Sequence, residues 1–167
     1  ISSGYVLTGR NPQQFHSKAM RYLENMFDAA KKDGIELRVV SSYRSFATQA
    51  IVKANHKMLY GTGANQFSAD QGYSEHQLGT TMDLTTAKLG ANFETINKDP
   101  AYTWLTENAY KYGFVLSYPK SNAYYIFEPW HWRFVGTDLA ADLRRQGKFF
   151  YDLEQRDIDG YLLHIFD

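Results

Sequence analysis

The sequence contains no cysteine among its 167 residues. That excludes disulfide bonds, thiolate zinc sites and cysteine nucleophiles. It has no apolar run approaching the roughly 20 residues that a membrane-spanning helix needs. It has no excess charge of either sign, with eighteen basic and eighteen acidic residues and a formal net charge of +0. No basic block stands out, so nucleic acid is not an expected partner. Repeats, low-complexity tracts and linkers are also missing, and a chain of this length suits a single domain, 1–167, with a real core.

What is present is globular in character, 44% hydrophobic and 22% charged. Thirteen tyrosines and eleven phenylalanines make it rich in aromatics. They suit a tyrosine-rich core, and some could line a groove that grips an extended, partly polar ligand. The chain opens at Ile1 without an initiator methionine, so a mature or trimmed chain is expected.

Asn11-Pro12 predicts a helix start, with Asn11 as cap and Pro12 at the first helical position. Phe15, Ala19, Leu23, Met26, Phe27 and Ala30 recur at helical spacing, with His16 off that stripe and Gly34 at the end. A strand is expected over 35–42, then a second helix to about Tyr60, capped by Ser45, with His56 on its exposed face. Arg44 falls at this strand-to-helix junction, where a side chain can either point into a cleft or lie on the surface. Residues 61–73 are polar with three glycines and read as a long loop. Strand character follows over 79–85. Asp99-Pro100 starts a helix that ends at Gly113. A hairpin of 114–118 and 123–127 is expected, with strand character continuing over 128–135. Thr137 is expected to cap a helix over 138–146, and a last helix or tail, with Leu153, Ile158, Leu162, Leu163 and Ile165 available for packing, occupies 152–166. Early helices followed by mixed strands and helices favour α+β: a central antiparallel sheet flanked by helices.

Two stretches carry chemistry: Ser74-Glu75-His76-Gln77-Leu78-Gly79-Thr80-Thr81-Met82-Asp83 and Glu128-Pro129-Trp130-His131-Trp132. Two imidazoles and one carboxylate form a common catalytic zinc ligand set that leaves one position open for water. A further carboxylate can then take a proton from that water. His76, Asp83 and His131 are accordingly candidate ligands, and Glu128 the candidate base. His76 and Asp83 are seven apart, a spacing that a straight strand would place on opposite faces, so Gly79 must permit a bend between them. Both motifs are expected on strand or loop, unlike the helical His-Glu-x-x-His arrangement. Taken singly, each residue has a structural reading, and a metal-free α+β domain with structural histidines stays open.

The ordered set Tyr43-Arg44-Ser45 with Gln49, Ser74-x-His76-x-x-Gly79-x-x-x-Asp83 and Glu128-x-x-His131 resembles the VanY-type D-alanyl-D-alanine carboxypeptidases. That family includes related L,D-carboxypeptidases and belongs to the wider lysostaphin/VanX/hedgehog-like metallopeptidase fold. The resemblance implies one Zn2+ per chain on His76, Asp83 and His131, with Glu128 as general base and later acid. It implies that Arg44 steadies the scissile carbonyl and oxyanion, and that Ser74 and Gln49 contact substrate near its C-terminal end. Tyr125 and Trp130, with Tyr73 and Tyr124, would shape the groove. The implied substrate is a peptidoglycan stem peptide losing a terminal D-alanine. The implied setting is extracytoplasmic, with any anchor outside this chain, and a monomer is expected. Two rivals remain: an endopeptidase of the same fold, and a non-catalytic cell-wall-binding module that keeps zinc for structure. The spare acid Glu128 argues against the latter.

Overall fold

The computed structural model describes every residue except 62, 64–67 and 124. Among the described residues, four strands form one antiparallel sheet: β1 (Leu37–Ser41), β2 (Thr81–Thr86), β3 (Phe114–Leu116) and β4 (His131–Phe134), in the order β1-β2-β4-β3. The α-helices of the described residues are α1 (Met20–Lys32), α2 (Phe46–Tyr60), α3 (Pro100–Asn108), α4 (Thr137–Gln146) and α5 (Gln155–Leu162). The expected antiparallel α+β class is borne out. Among the described residues, no helix is long and apolar enough to cross a membrane.

Strand alternation decides which face does what. Leu37 and Val39 of β1, Met82 and Leu84 of β2, Phe114 of β3, and Trp132 and Phe134 of β4 join one buried cluster. Leu23, Met26, Phe27 and Ala30 of α1 and Ala101 and Leu105 of α3 pack into the same cluster. The intervening residues of β2 and β4, Asp83 and His131 among them, are therefore left for the opposite face. A second cluster of Val135, Leu139, Ala140, Leu143 and Phe150 seats α4 and the C-terminal segment.

Two helix starts match the sequence signals. The Ser45 hydroxyl accepts from the Thr48 amide, and the Asp99 carboxylate accepts from the Ala101 amide ahead of Pro100. Others do not. Asn11-Pro12 starts no helix; a short 3-10 turn at Ser17–Ala19 leads into α1. The backbone over 11–16 makes tertiary bonds instead. The Gln14 carbonyl accepts from the Ser42 hydroxyl at 2.7 Å and the Tyr43 amide at 3.2 Å, and the His16 amide donates to the Gly79 carbonyl at 2.7 Å. His16 is not a solvated helix residue, because its ring stacks on Phe166 at 4.5 Å.

The expected hairpin partner for 114–118 is also corrected. Residues 125–127 are not strand, and β3 pairs directly with β4. Residues 128–130 lie ahead of β4 rather than in it. Gly136, not Thr137, is the N-cap of α4, and Thr137 is the first helical residue. Of the apolar residues expected to pack in the tail, Leu153, Ile158 and Ile165 do so, joined by Phe166, whereas Leu162 and Leu163 stay exposed, at 50% and 83%. The loop expected over 61–73 lies partly outside the described residues, as does Tyr124.

Candidate metal centre and substrate cleft

Three structural devices bring the two motifs together. The first is strand register: Asp83 on β2 lies directly opposite His131 on β4, and cross-strand partners on one face put their Cβ atoms roughly 5 Å apart. The second is a 3-10 turn, Glu75–Leu78, that carries His76, where strand or loop had been expected. The third is Gly79, which ends that turn at φ 74°. This left-handed conformation is readily open only to glycine. It reverses the chain into β2, so that His76 and Asp83 meet.

The result is a buried triad. One ligand atom each from His76, Asp83 and His131 lies within 4.8 Å of the others. The His76 Nε2 is 3.4 Å from one Asp83 carboxylate oxygen, and the His131 Nδ1 is 3.2 Å from the other. Each imidazole commits its remaining nitrogen elsewhere. His76 Nδ1 is 2.7 Å from the Ser42 carbonyl oxygen, and His131 Nε2 is 2.8 Å from a Glu75 carboxylate oxygen. Such outer partners fix which nitrogen is free for a metal. His76 Nε2 is buried with no hydrogen-bond partner among the described residues. A buried nitrogen lone pair left without a donor, facing a carboxylate and a second imidazole, is what a divalent cation would satisfy. The residues fit zinc.

Electrostatics follows from the crowding. Burial opposes charge on Asp83, but His76 and His131 hold its carboxyl far below the usual range. Burial alone would depress His131; hydrogen bonds to Asp83 and Glu75 overcome this and raise it to about 10. The metal-free site therefore stores a proton where a cation would bind. Glu128 sits at the turn before β4, its carboxylate 3.5 Å from His131 Nδ1. Burial, with Asp83 and Glu75 nearby, pushes it up to about 7 against the pull of His131 and Arg44. A carboxylate of this kind exchanges protons near neutral pH.

The triad opens onto a cleft of about 420 Å3 lined by Arg44, Gln49, Ser74, Tyr125, Glu128 and Trp130. These residues thus share one cleft with the triad, whereas Tyr73 is not among those lining it. Ser74 precedes the His76 turn without capping it. Trp130 meets Phe93 edge to face, and Tyr125 meets Tyr118 likewise. Gln49 is fully buried, and both ends of its amide bond protein groups. Tyr73 is 82% exposed. His56, expected on an exposed face, instead lines the cleft, half-buried, and burial lowers its basicity.

The family profile described as VanY, D-alanyl-D-alanine carboxypeptidase, matches residues 12–137. The chain belongs to this family. One relative, the putative carboxypeptidase YodJ of Bacillus subtilis (strain 168), is 42% identical over 123 residues, covering 71% of this chain and 45% of its own length. The chain spans about half the length of the curated relatives it matches. Among solved structures, the LdcB LD-carboxypeptidase aligns with a TM-score of 0.75 at 34% identity, over 86% of this chain and 71% of that one. A glutamate-to-alanine variant of the vancomycin-resistance D,D-pentapeptidase VanY, in complex with Zn(II), aligns with a TM-score of 0.75 at 28% identity, over 91% and 92%.

Sequence reasoning missed Glu75, Tyr118 and Tyr151. Glu75 stands between two residues of the VanY motif and is 5% exposed. An acid beside a histidine ligand was the available signal. Tyr151 had none: it lies beyond the matched residues, yet its hydroxyl donates to Glu75 at 2.7 Å.

Proposed function

We propose that residues 1–167 form one zinc carboxypeptidase domain that removes the C-terminal D-alanine from peptidoglycan stem peptides. The observation that carries this reading is the convergence of His76, Asp83 and His131 beside Glu128, in a cleft that Arg44 also lines. One Zn2+ per chain would be held by His76 Nε2, an Asp83 oxygen and His131 Nδ1. When bound, zinc supplies Lewis acidity, polarising a carbonyl and making water acidic near neutral pH.

The chain's own groups do the rest. Glu128 accepts a proton from the attacking water on its carboxylate, then delivers one to the leaving amine. Its position near pH 7 suits both directions of transfer. Arg44, 3.9 Å from Asp83 and hydrogen-bonded to Gln49, points donors at the cleft. There it meets negative charge that grows on the carbonyl oxygen as water adds to the carbonyl carbon. Ser74, Tyr125 and Trp130 grip the peptide, and Gln49 acts by holding Arg44. Cysteine-free composition and a wall-peptide substrate suit work outside the cytoplasm, as a monomer.

Digestion of defined pentapeptide and tetrapeptide stems, read by mass spectrometry, tests the reading. Loss of one alanine from the pentapeptide alone assigns D,D-carboxypeptidase action, and loss from the tetrapeptide alone assigns L,D. Internal cleavage replaces the carboxypeptidase by an endopeptidase of the same fold. Intact peptides with zinc bound at one per chain would overturn the catalytic reading for these substrates.

A further inference from the structure

His131 is held from behind by a buried hydrogen-bond network. Its Nε2 faces a Glu75 carboxylate oxygen at 2.8 Å, and the Ser117 hydroxyl donates to that same oxygen at 2.7 Å. The other Glu75 oxygen accepts from Arg133 at 2.8 Å and from the Tyr151 hydroxyl at 2.7 Å. The Tyr151 hydroxyl is also hydrogen-bonded to that of Tyr118. The Tyr118 ring stacks on Tyr151 at 5.9 Å and tilts against the His131 imidazole at 4.7 Å. Phe150, next to Tyr151, lies under the Arg133 guanidinium at 4.2 Å. The C-terminal segment thus reaches back 76 residues to Glu75.

A buried carboxylate with four partners is fixed in place, and a fixed acceptor fixes the ring that donates to it. The geometry points to Glu75 and Tyr151 as positioning residues for the metal centre: they hold His131 with its proton on Nε2 and its Nδ1 toward Asp83. This inference rests on the zinc reading above. It gives the segment after residue 137, which the family profile does not match, a defined part in the site. Glu75 sets the ring's tautomer and orientation, and Tyr151 keeps Glu75 from turning away.

The test uses the full chain with Glu75→Gln and Tyr151→Phe, and with Tyr161→Phe as a control. Tyr161 is a tyrosine on the same segment whose hydroxyl bonds Asp142, outside the network. Zinc affinity is measured by competition with a chelator of known strength, and the His131 ring nitrogens are read by 15N NMR. Losing an outer-shell partner typically costs about 10- to 100-fold in metal affinity, and that is the result expected for Glu75→Gln. Tyr151→Phe removes one neutral hydroxyl and should cost roughly three- to tenfold. Both should weaken the slowly exchanging Nε2–H signal of His131, whereas Tyr161→Phe should bind zinc like the wild type. Should Glu75→Gln fail to fold, Tyr151→Phe decides. If both variants bind zinc within about twofold of wild type with an unchanged Nε2–H signal, the inference is overturned while the zinc reading stands. A wild type that takes up no zinc would sink both.

Discussion

The guanidinium of Arg44 donates to the amide oxygen of Gln49 at 3.1 Å, and Gln49 is itself wholly buried. The Gln49 amide nitrogen donates in turn to the Ser68 hydroxyl at 3.2 Å and the Ala69 carbonyl at 2.9 Å. Arg44 is therefore fixed at the cleft wall by a helix residue that has little freedom of its own. The Arg44 Nε is buried with no hydrogen-bond partner among the described residues.

This arrangement separates two mutational effects. Arg44→Ala should lower kcat about 100- to 1000-fold, the usual cost of losing an oxyanion donor. Gln49→Leu keeps the volume but removes the anchor, and should lower kcat by roughly tenfold, the cost of one hydrogen bond to a charged group. Zinc content should be unchanged in both. Steady-state kinetics on the cleaved stem peptide checks this; a raised KM with kcat intact would assign Arg44 to ground-state binding.

The metal-free protein should respond to pH in a particular direction. His131 is raised from 6.5 to about 10 and Glu128 from 4.5 to about 7. A group whose folded pKa is raised contributes stability below its unfolded pKa and loses it as pH rises through the folded value. The metal-free protein should therefore lose their contribution between pH 4.5 and 10. Zinc must displace the His131 proton, so its affinity should rise with pH, by about tenfold per unit for each proton released. Thermal melting with and without a chelator should show a gap in Tm that widens from pH 6 to pH 9, both pH values being rough brackets of this range. A gap that narrows would contradict the proton stored at His131.

Two glycines predict unequal costs. A Cβ on Gly113, at φ +81°, would lie 2.6 Å from the Phe134 ring and 3.0 Å from the Gly136 backbone. Gly113→Ala should cost about 1–2 kcal/mol for the left-handed backbone and about 1–3 kcal/mol more for overpacking. Gly147, at φ +64°, has nothing within 4 Å, so Gly147→Ala should cost only the backbone share. Chemical denaturation of the two variants side by side checks the difference.

Local signals carried much of this fold into view. Ser45 and Asp99-Pro100 cap their helices because those residues answer a need of the backbone beside them. The apolar stripe of α1 and the alternation on β2 likewise report which face is buried. Asn11-Pro12 carries an equally good helix signal but starts none, because Ser42, Tyr43 and Gly79 take up the backbone groups around it. The failed hairpin has the same kind of origin: β4, not the nearer 123–127, supplies the partner of β3.

The candidate site divides along the same line. His76, Asp83, Glu128 and His131 were visible because histidine and acid pairs stand in two short stretches of apolar or aromatic sequence. Glu75 looked like any solvated acid, since its burial depends on Ser117, Arg133 and Tyr151, brought from 42, 58 and 76 residues away. His56 was placed on the wrong face because only the packed cleft shows which side of α2 lines it.

The most direct test of the central claim compares wild type with Glu128→Gln on the same stem peptides, with zinc counted in both. Glu128 lies 3.5 Å from His131 but is not needed as a ligand. The account predicts one zinc per chain in each protein, with loss of the terminal D-alanine in the wild type. It predicts a drop of at least about 100-fold in turnover for the variant, as expected when a positioned base is removed. Full activity in zinc-loaded Glu128→Gln would contradict the assignment of Glu128 as the proton carrier.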